Sequence, residues 1–443
     1  MKIQLSDHFT YKKLLRFVLP SVMMVVFTSI YGIVDGFFVS NYVGKTQFAA
    51  LNLIYPVVQI ISAIGFMFGS GGSAIVGKTL GEGDNQKANR YFTLIVLSAA
   101  ALGIFFSAAT IPFLRPLAIL LKAEGAMIGF CVEYGRILLY GMVFFIIQNV
   151  FQSLMITSGK PNLGFLITVI AGVANMILDY VCIVVWDMGL AGAAWATIAS
   201  QIVGAIIPLV YFAKKNGSLL HFTKTAFYGK VLLKTCTNGM SELISNISAS
   251  VVGILYNIQL MRYAGENGVA AYGTAMYVTW IFVAIAFGYA IGCSPIVSYN
   301  YGAQNHAELK NIFKKSMVIS TVLDISLVAL LLIFLDPMAR AFVGYDAELL
   351  EMTKRSLEIC AACFLVVTFN IFGSAFFTAL NNGVISAVIS VLRTIVFNVA
   401  TVMILPEFFG LDGIWASVSA TEFLAFIPVL FCFIKYRKRY HYA

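Results

Sequence analysis

Long apolar segments recur along the whole chain, and they restrict its fold more than any other feature. A helix needs about 20 apolar residues to cross a bilayer core, and segments of that length recur between polar or Gly/Pro breaks. Hydrophobic residues make up 60% of the 443 positions and charged residues only 11%, which no water-soluble domain could bury. The sequence therefore predicts an all-α polytopic membrane protein with twelve transmembrane helices. The predicted spans are residues 14–39, 50–76, 91–113, 133–157, 163–186, 190–213, 233–261, 269–297, 313–335, 355–379, 384–405 and 411–434.

Basic residues are divided unevenly between the two sides of this predicted bundle. If the N-terminus is inside, the inner segments hold 20 Lys and Arg residues and the outer segments hold 8. Because cytoplasmic loops carry the excess of Lys and Arg, we expect both termini to be cytoplasmic and the protein to lie in the cell membrane. The formal net charge of +9 follows from this topology and requires no nucleic acid partner. Of the seven cysteines only Cys131 falls in a predicted outer loop, so disulfides are not expected.

The chain is an internal repeat with an offset of 221 residues. The shift maps Tyr42, Gly44, Gly81, Phe92 and Gly189 onto Tyr263, Gly265, Gly302, Phe313 and Gly410. Each half holds six spans, an even number, so both halves enter the membrane in the same orientation as parallel repeats. We therefore expect two six-helix bundles around a cavity suited to alternating access. The N-lobe comprises residues 1–213, the cytoplasmic linker residues 214–232 and the C-lobe residues 233–443.

Four oxygen-bearing side chains lie within the predicted spans of the first half only. They are Asp35 in span 1, Asn175 and Asp179 one helical turn apart in span 5, and Thr197 in span 6. The 221-residue shift places Tyr256, Val396, Ala400 and Val418 at the corresponding positions of the second half. At 1.5 Å per residue Asp35, Asp179 and Thr197 fall within roughly 5 Å of one another in depth. Because hydrocarbon does not solvate an ionisable group, these residues predict a functional site.

The oxygen-only composition of this set restricts what it can bind. It suits a proton shared between carboxyl groups, or a hard cation such as Na⁺, and it argues against a soft metal. Two carboxylates in a low-dielectric site cannot both ionise cheaply, so one is expected to hold a proton near neutral pH. The alternative interpretation is a hydrogen-bonded cluster that only fixes helix packing.

These residues and their spacing resemble the MATE (multidrug and toxic compound extrusion) family of transporters, in particular its bacterial DinF-like branch. The matching features are Pro20 fifteen residues before Asp35, Asn175-x-x-x-Asp179, Thr197, and Gly288-x-x-x-Gly292-x-x-Pro295. The resemblance implies a MATE/MOP-type fold and export of amphipathic, often cationic organic compounds, coupled to H⁺ or Na⁺. It implies a secondary transporter rather than an enzyme, without a cofactor or ATP, and we expect a monomer whose partners are the lipid bilayer and a small organic substrate.

The resemblance also implies roles for individual residues. Asp35, Asn175, Asp179 and Thr197 become the coupling site for H⁺ or Na⁺. Pro20 becomes a hinge, because proline weakens the hydrogen-bond ladder of a helix and lets it bend. Some branches of the family use acidic residues of the second lobe instead, which leaves the location of the coupling site open.

The second half carries four buried charges of its own. Asp324, Arg393 and Glu422 lie near mid-membrane, and Glu242 lies nearer the cytoplasmic side. A lone arginine at this depth needs a partner, which either Glu422 or Asp324 could supply. The sequence leaves two interpretations open, a structural ion pair and a second cation or substrate site.

Smaller features of the first half lie close to the predicted site. Gly32 and Gly36 bracket Asp35 and are expected to let a neighbouring helix approach it closely. Gln148 and Gln152, one turn apart in span 4, either line the cavity or form interhelical hydrogen bonds.

Other functional classes make distinct predictions. Residues Gly72–Thr79 fit the Walker A pattern of an ATP-driven pump, but they close an apolar span instead of joining a strand to a helix, so we interpret these glycines as helix-packing residues. A flippase for lipid-linked saccharides, the alternative within the same superfamily, predicts a strongly cationic cavity. The interiors of the spans, more than three residues from either end, instead hold five acids and one arginine. A non-transporting membrane scaffold would tolerate Asp179→Asn.

Overall fold

The computed structural model describes residues 3–344 and 346–443, and all regular structure in this part of the chain is helical. We label the membrane-spanning helices α1 to α12 in chain order. They are α1 (Tyr11–Tyr42), α2 (Lys45–Gly81), α3 (Asn85–Leu120), α4 (Ala126–Thr157), α5 (Pro161–Val185), α6 (Gly189–Ala213), α7 (Gly229–Gly265), α8 (Asn267–Gly302), α9 (His306–Val343), α10 (Ala347–Leu365 with Val367–Ala379), α11 (383–409) and α12 (411–440).

The number of spans follows from helix length and from breaks in the helices. α10 is one span made of two segments bent by 44°. Residues Gly383–Tyr440 form 58 residues of helix, about 87 Å at 1.5 Å per residue, which is twice the thickness of a bilayer. Gly410 breaks this helix with φ 58° and ψ −133°, and Thr401 before the break bonds Thr421 after it at 2.7 Å. The two limbs are therefore antiparallel neighbours, and the prediction of twelve spans is confirmed.

The internal repeat is visible in the backbone of the turns. Gly44 and Gly265, which are 221 residues apart, have φ of 99° and 60°. Gly189 and Gly410, the same distance apart, have φ of 57° and 58°. Glycine adopts positive φ without the steric cost that a Cβ imposes, so the repeat preserves glycine where the chain reverses between consecutive helices.

Both ends of the described chain lie on one face of the bundle, which we call the terminal face, and the opposite face is the far face. The Phe9 N–H, before α1, donates to Glu308 Oε1 of α9 at 2.9 Å. The His441 ring, after α12, lies 4.6 Å from that of His306. The segment that precedes α1 therefore ties the N-lobe to the C-lobe at the terminal face.

Glycines allow the two lobes to touch backbone to backbone near the terminal face. A Cβ on Gly81 of α2 would collide with the carbonyl of Tyr299 in α8. A Cβ on Gly302 of α8 would collide with the carbonyl of Lys78 in α2. Gly81 and Gly302 are equivalent in the repeat, so the lobes meet through a pseudo-symmetric contact that leaves no room for a side chain.

The far halves of the helices at the lobe interface are open by comparison. Gly32 and Gly36 of α1, Gly253 of α7 and Gly273 of α8 each face open space within 4 Å. The lobes thus pack backbone to backbone in the terminal half, and the lack of such contacts at these glycines is what a cleft open towards the far face predicts. The expectation that a neighbouring helix packs onto Gly32 and Gly36 is wrong, because in the described part of the chain no atom of a neighbouring helix lies within 4 Å of the place of a Cβ on either glycine.

The segment with the Walker A pattern is an uninterrupted part of α2. A Cβ on Gly72 would meet the Ile95 side chain of α3 at 2.8 Å, and one on Gly77 would collide with Ser298 of α8. The Thr79 hydroxyl donates to the Ile75 carbonyl at 2.9 Å within the same helix. The helix-packing interpretation of these glycines is confirmed.

Helices extend beyond the apolar windows that predict them, and one assignment changes as a result. Cys131 is buried near the start of α4, where its thiol donates to the Ala50 carbonyl at 3.5 Å. Its assignment to an outer loop is wrong, because the charges of Glu133 and Arg136 shorten the apolar window without ending the helix. All seven cysteines are free.

Candidate functional site

Two carboxyl groups meet between α1 and α5 in the N-lobe. Asp35 and Asp179 lie within hydrogen-bonding reach of each other. Asp179 is 0% exposed, and in the described part of the chain neither of its carboxyl oxygens has a hydrogen-bond donor, nor does Asp35 Oδ1. A carboxylate only accepts hydrogen bonds, so these two groups can bond only when one carries a proton. The pair is thus a place where a bound proton or a cation lowers the energy of a buried charge.

A glycine on α5 brings the two helices close enough for this contact. A Cβ on Gly172 would lie 2.6 Å from the Phe27 ring and 2.8 Å from the Tyr31 ring of α1. Gly172, Asn175 and Asp179 follow one another at helical spacing, so they share the face of α5 that is turned to α1. The packing of Gly172 against these aromatic rings therefore sets the depth in the bundle at which Asp179 contacts Asp35.

The other two predicted site residues are less closely engaged. Asn175 is only 2% exposed, one turn from Asp179 towards the terminal face. Thr197 on α6 is half-buried, and its carbonyl accepts from the Ser200 hydroxyl at 2.7 Å. Neither side chain makes a hydrogen bond to Asp35 or Asp179 in the described part of the chain. The structure brings the two acids together, and among the described residues it leaves Asn175 on α5 and Thr197 on α6 without a hydrogen bond to either of them.

Three tyrosines that sequence reasoning missed lie around Asp35. Tyr31, Tyr55 and Tyr134, from α1, α2 and α4, lie within the range of its charge. A phenol can donate a hydrogen bond to a carboxylate or accept one from a cationic ligand. Tyr31 could have been found by its spacing of one turn before Asp35. Tyr55 and Tyr134 could not, because only tertiary packing brings their helices to this point.

The helices that carry the site contain irregularities that the sequence indicated only at Pro20. The regular α-helix of α5 ends at Asp179 and continues as a π-helical turn, Tyr180–Val185. Such turns are frequent at functional sites, since they redirect side chains at a modest cost in backbone hydrogen bonding. α1 runs unbroken through buried Pro20, which lies on the terminal side of Asp35. Its hinge role stays a prediction.

Two of the four charged residues in the interior of the C-lobe form an ion pair. Arg393 donates to Glu422 Oε1 through Nε at 3.0 Å and through Nη2 at 2.8 Å. Asn370 Nδ2 donates to Glu422 Oε2 at 2.7 Å and to the Glu422 carbonyl at 2.8 Å. Glu242 lies within the range of the Arg393 charge but makes no ion pair in the described part of the chain. Of the two partners considered for Arg393, the structure selects Glu422.

Asp324 has a different contact. It is 1% exposed, and its Oδ1 accepts the backbone N–H of Thr368 at 3.1 Å. Thr368 lies in the first turn of Val367–Ala379, the second segment of bent α10, where backbone N–H groups lack partners within the helix. Asp324 therefore caps a helix start from the neighbouring helix α9, and it is not the partner of Arg393.

Gln148 and Gln152 line a small pocket within the N-lobe, between α4, α5 and α6. Thr168 and Gly204 also line it, and its empty volume is about 240 Å³, including the part that is open to the surroundings. Gln148 Oε1 is buried without a hydrogen-bond donor in the described residues. The two glutamines thus line a pocket, as one of the two interpretations predicts. This pocket lies inside the N-lobe and is not the cleft between the lobes.

Comparisons with known proteins agree with this architecture. The model of the MatE family matches twice, at residues 20–181 and 243–404, once in each lobe. The chain is 24% identical over 432 residues to a protein named multidrug export protein MepA from Staphylococcus saprophyticus, covering 96% of this chain and 94% of that protein. A MepA from Staphylococcus aureus is also 24% identical, with the same coverage.

Solved structures share the fold. One described as the outward-facing conformation of a multidrug resistance MATE family transporter of the MOP superfamily matches with a TM-score of 0.91 at 23% identity. It covers 98% of this chain and 96% of its own. With both lobes matched by the family model and the bundle aligned over its full length, this chain belongs to the MATE family and is a multi-pass secondary transporter, not an enzyme.

Proposed function

We propose that this protein is a cation-coupled antiporter that exports amphipathic, cationic organic compounds by alternating access. The observation that carries the proposal is the pair Asp35 and Asp179, a half-buried acid and a fully buried one that lie within hydrogen-bonding reach of each other between α1 and α5. The names of the MepA relatives support drug export as the activity. No cofactor takes part, and the coupling ion is H⁺ or Na⁺.

The orientation of the protein in the membrane is the second part of the proposal. The terminal face is cytoplasmic, because the segments on that side carry 20 of the Lys and Arg residues against 8 on the other. The cleft then opens to the outside, the conformation in which substrate leaves and the coupling ion enters. The protein works in the cell membrane as a monomer, because each chain holds both lobes and the cleft between them.

The coupling ion acts by removing the charge repulsion within the acid pair. An ion that enters from the far face stabilises the contact between Asp35 and Asp179. An organic cation competes for the same negative charge, so ion and substrate disfavour one another, as antiport requires. Asn175 and Thr197 supply further oxygens when the ion is Na⁺, and bending of α1 at Pro20 carries the change towards the lobe interface.

The flippase alternative depends on a cationic cavity. Arg393, the arginine of the C-lobe interior, has its charge matched by Glu422 through two short contacts. A saccharide carrier with a pyrophosphate group would instead need arginine and lysine donors free to bind phosphate. The antiporter is therefore the function that these residues support best.

The test is dye efflux from proteoliposomes with an imposed pH gradient or an imposed Na⁺ gradient. We expect Asp35→Asn and Asp179→Asn each to lower gradient-driven efflux by about 100-fold or more, because an amide neither takes up a proton nor carries the negative charge that balances a bound Na⁺. Glu407→Gln is the matched control, since Glu407 is an exposed acid that pairs with Arg262 near the far face. It should transport like the wild type.

The gradient that drives efflux in the wild-type protein identifies the ion. If both site variants transport normally while folded, the acid pair is not the coupling site, and Glu242, Asp324 and Glu422 become the candidates. If dye moves only when ATP is supplied, the protein is not a secondary antiporter.

A further inference from the structure

A second, larger pocket lies at the terminal face, away from the acid pair. It opens between the start of α1, the turn that joins α4 to α5, and the end of α6. Its empty volume is about 1010 Å³, including the part open to solvent. The residues that carry the argument are Arg16 and Phe17 of α1, Lys160, Asn162 and Leu163 at the start of α5, and Tyr211 of α6.

Among the residues that the structure describes, the charged side chains that line this pocket are both cations. Arg16 comes from α1 and Lys160 from the α4–α5 turn, and none of the described lining residues is acidic. In the described part of the chain neither makes an ion pair, and the nearby acid Asp7 is bound to Lys13 at 3.0 Å. Two like charges in one pocket repel each other, so an anion between them stabilises both.

The backbone at the start of α5 favours an anion as well. Lys160 is the N-cap residue, and its side chain makes no capping hydrogen bond. Pro161 follows at the first helical position, and no partner is found for the Asn162 N–H in the described residues. The positive end of the helix dipole therefore points into a pocket that already contains two cations.

Apolar surface leads away from the pocket along both helices. Leu15, Leu19 and Met23 form an exposed stripe on α1, at spacings of four residues. Leu166, Ile170 and Val173 form a similar exposed stripe on α5. In a chain that spans the membrane such stripes face lipid chains, so the pocket joins a cationic head to apolar flanks.

We propose that this pocket binds the phosphate headgroup of an anionic phospholipid from the leaflet at the terminal face. Arg16 and Lys160 bind the phosphate, Tyr211 and the start of α5 add hydrogen-bond donors, and the acyl chains lie along the stripes of α1 and α5. The lipid would link the start of α1, one turn before Pro20, to the start of α5, the helix that carries Asp179. The proposal concerns binding and holds whether or not the acid pair couples transport.

Native mass spectrometry of the full-length protein tests the proposal, with phosphatidylglycerol as the probe and phosphatidylcholine as the neutral lipid. We expect retention of phosphatidylglycerol on the wild type and an apparent affinity about 30-fold weaker in Arg16→Gln/Lys160→Gln, from about 1 kcal/mol per cation near a membrane surface. The matched control is Lys314→Gln/Arg437→Gln, which removes two exposed cations from the same face outside the pocket. It should bind like the wild type.

Three results would overturn the proposal. An equal loss of phosphatidylglycerol binding in the pocket variant and in the control variant would mean unspecific attraction to the basic face. Equal binding of phosphatidylcholine would mean a site without charge selection. Equal protection by inorganic phosphate alone, measured by thermal unfolding in detergent, would mean a site for free phosphate. If the double variant does not fold, the single variant Lys160→Gln and the charge-keeping Arg16→Lys give the same comparison, with loss expected only in the first.

Discussion

The two lobes repeat the same six-helix arrangement, but the charged residues in their interiors differ in pairing. Among the described residues, those of the N-lobe lack a partner of opposite charge, whereas two of those in the C-lobe form an ion pair. In the N-lobe, Asp35 and Asp179 lie together without a cationic partner in the described part of the chain. In the C-lobe, Arg393 and Glu422 form an ion pair with two short contacts, and Asn370 completes it. A satisfied cluster holds its helices together, whereas an unsatisfied one gains energy by binding something. The difference indicates that the N-lobe is the place to look for ion binding.

The π-helical turns of the described helices lie beside charged residues and do not follow the repeat. One π-helical turn, Tyr180–Val185, directly follows Asp179 on α5. The other, Leu392–Phe397, contains Arg393 on α11. The 221-residue offset does not map one onto the other, so each lobe distorts its own helix where it has placed a charge. Glycine turns show the opposite behaviour, because their positions and positive φ are shared by both lobes.

The largest effect on stability should come from breaking the ion pair of Arg393 and Glu422. Arg393→Met leaves Glu422 buried without its cation, and we expect a loss of about 3–5 kcal/mol in the free energy of unfolding. Chemical unfolding in detergent measures it. The double variant Arg393→Met/Glu422→Gln should recover most of the loss, since it leaves no lone charge. A single variant as stable as the wild type would mean that the pair is not a structural element.

Where the lobes are symmetric, equivalent substitutions should have equal effects. Gly81→Ala and Gly302→Ala each place a methyl group against the backbone of the other lobe, and we expect each to destabilise the closed terminal face by about 1–3 kcal/mol. Cysteine accessibility at the terminal end of the cleft reports the opening, with Gly83→Ala, which faces open space at positive φ, as a control for local strain. Clearly unequal effects would contradict a pseudo-symmetric contact.

Removal of the cap on α10 should have a smaller effect. Asp324→Ala leaves the Thr368 N–H without its acceptor, and we expect a loss of about 1 kcal/mol, as for other helix caps. Asp324→Asn keeps an acceptor oxygen and should lose less. Both values come from the same unfolding measurement. If Asp324→Asn instead abolishes transport with its stability intact, Asp324 has a role beyond capping.

The smallest change in stability is expected at the acid pair. Asp179→Asn replaces one of two buried acids by a group that can donate to Asp35, so the free energy of unfolding should stay within about 1 kcal/mol of the wild type or rise. This outcome would contrast with Arg393→Met. A loss of 3 kcal/mol or more would mean that Asp179 belongs to a structural cluster, the alternative interpretation left open by the sequence.

Part of the candidate site could be predicted because membrane burial makes polar residues conspicuous. Asp35, Asn175 and Asp179 stand out in apolar spans, and the i, i+4 spacing of the last two is a local property of a helix. Tyr55, Tyr134 and Asn370 did not stand out, because tyrosine and asparagine are ordinary near helix ends and only packing brings them to the acids. No pattern in the sequence indicated that the segment before α1 bonds to the C-lobe, as Phe9 does.

The sequence by itself determined the number of spans, the parallel repeat and the depth of the buried acids. These properties depend on hydropathy and helical rise, which act over short stretches of chain. Only the tertiary structure decided which charges are paired, since Glu422 and Asp324 were equally available to Arg393 until helix packing oriented them. It also decided that Gly81 and Gly302 contact the backbone of the other lobe while Gly32 and Gly36 face open space. The angle between two lobes is set by contacts among residues far apart in the chain, which no local pattern encodes.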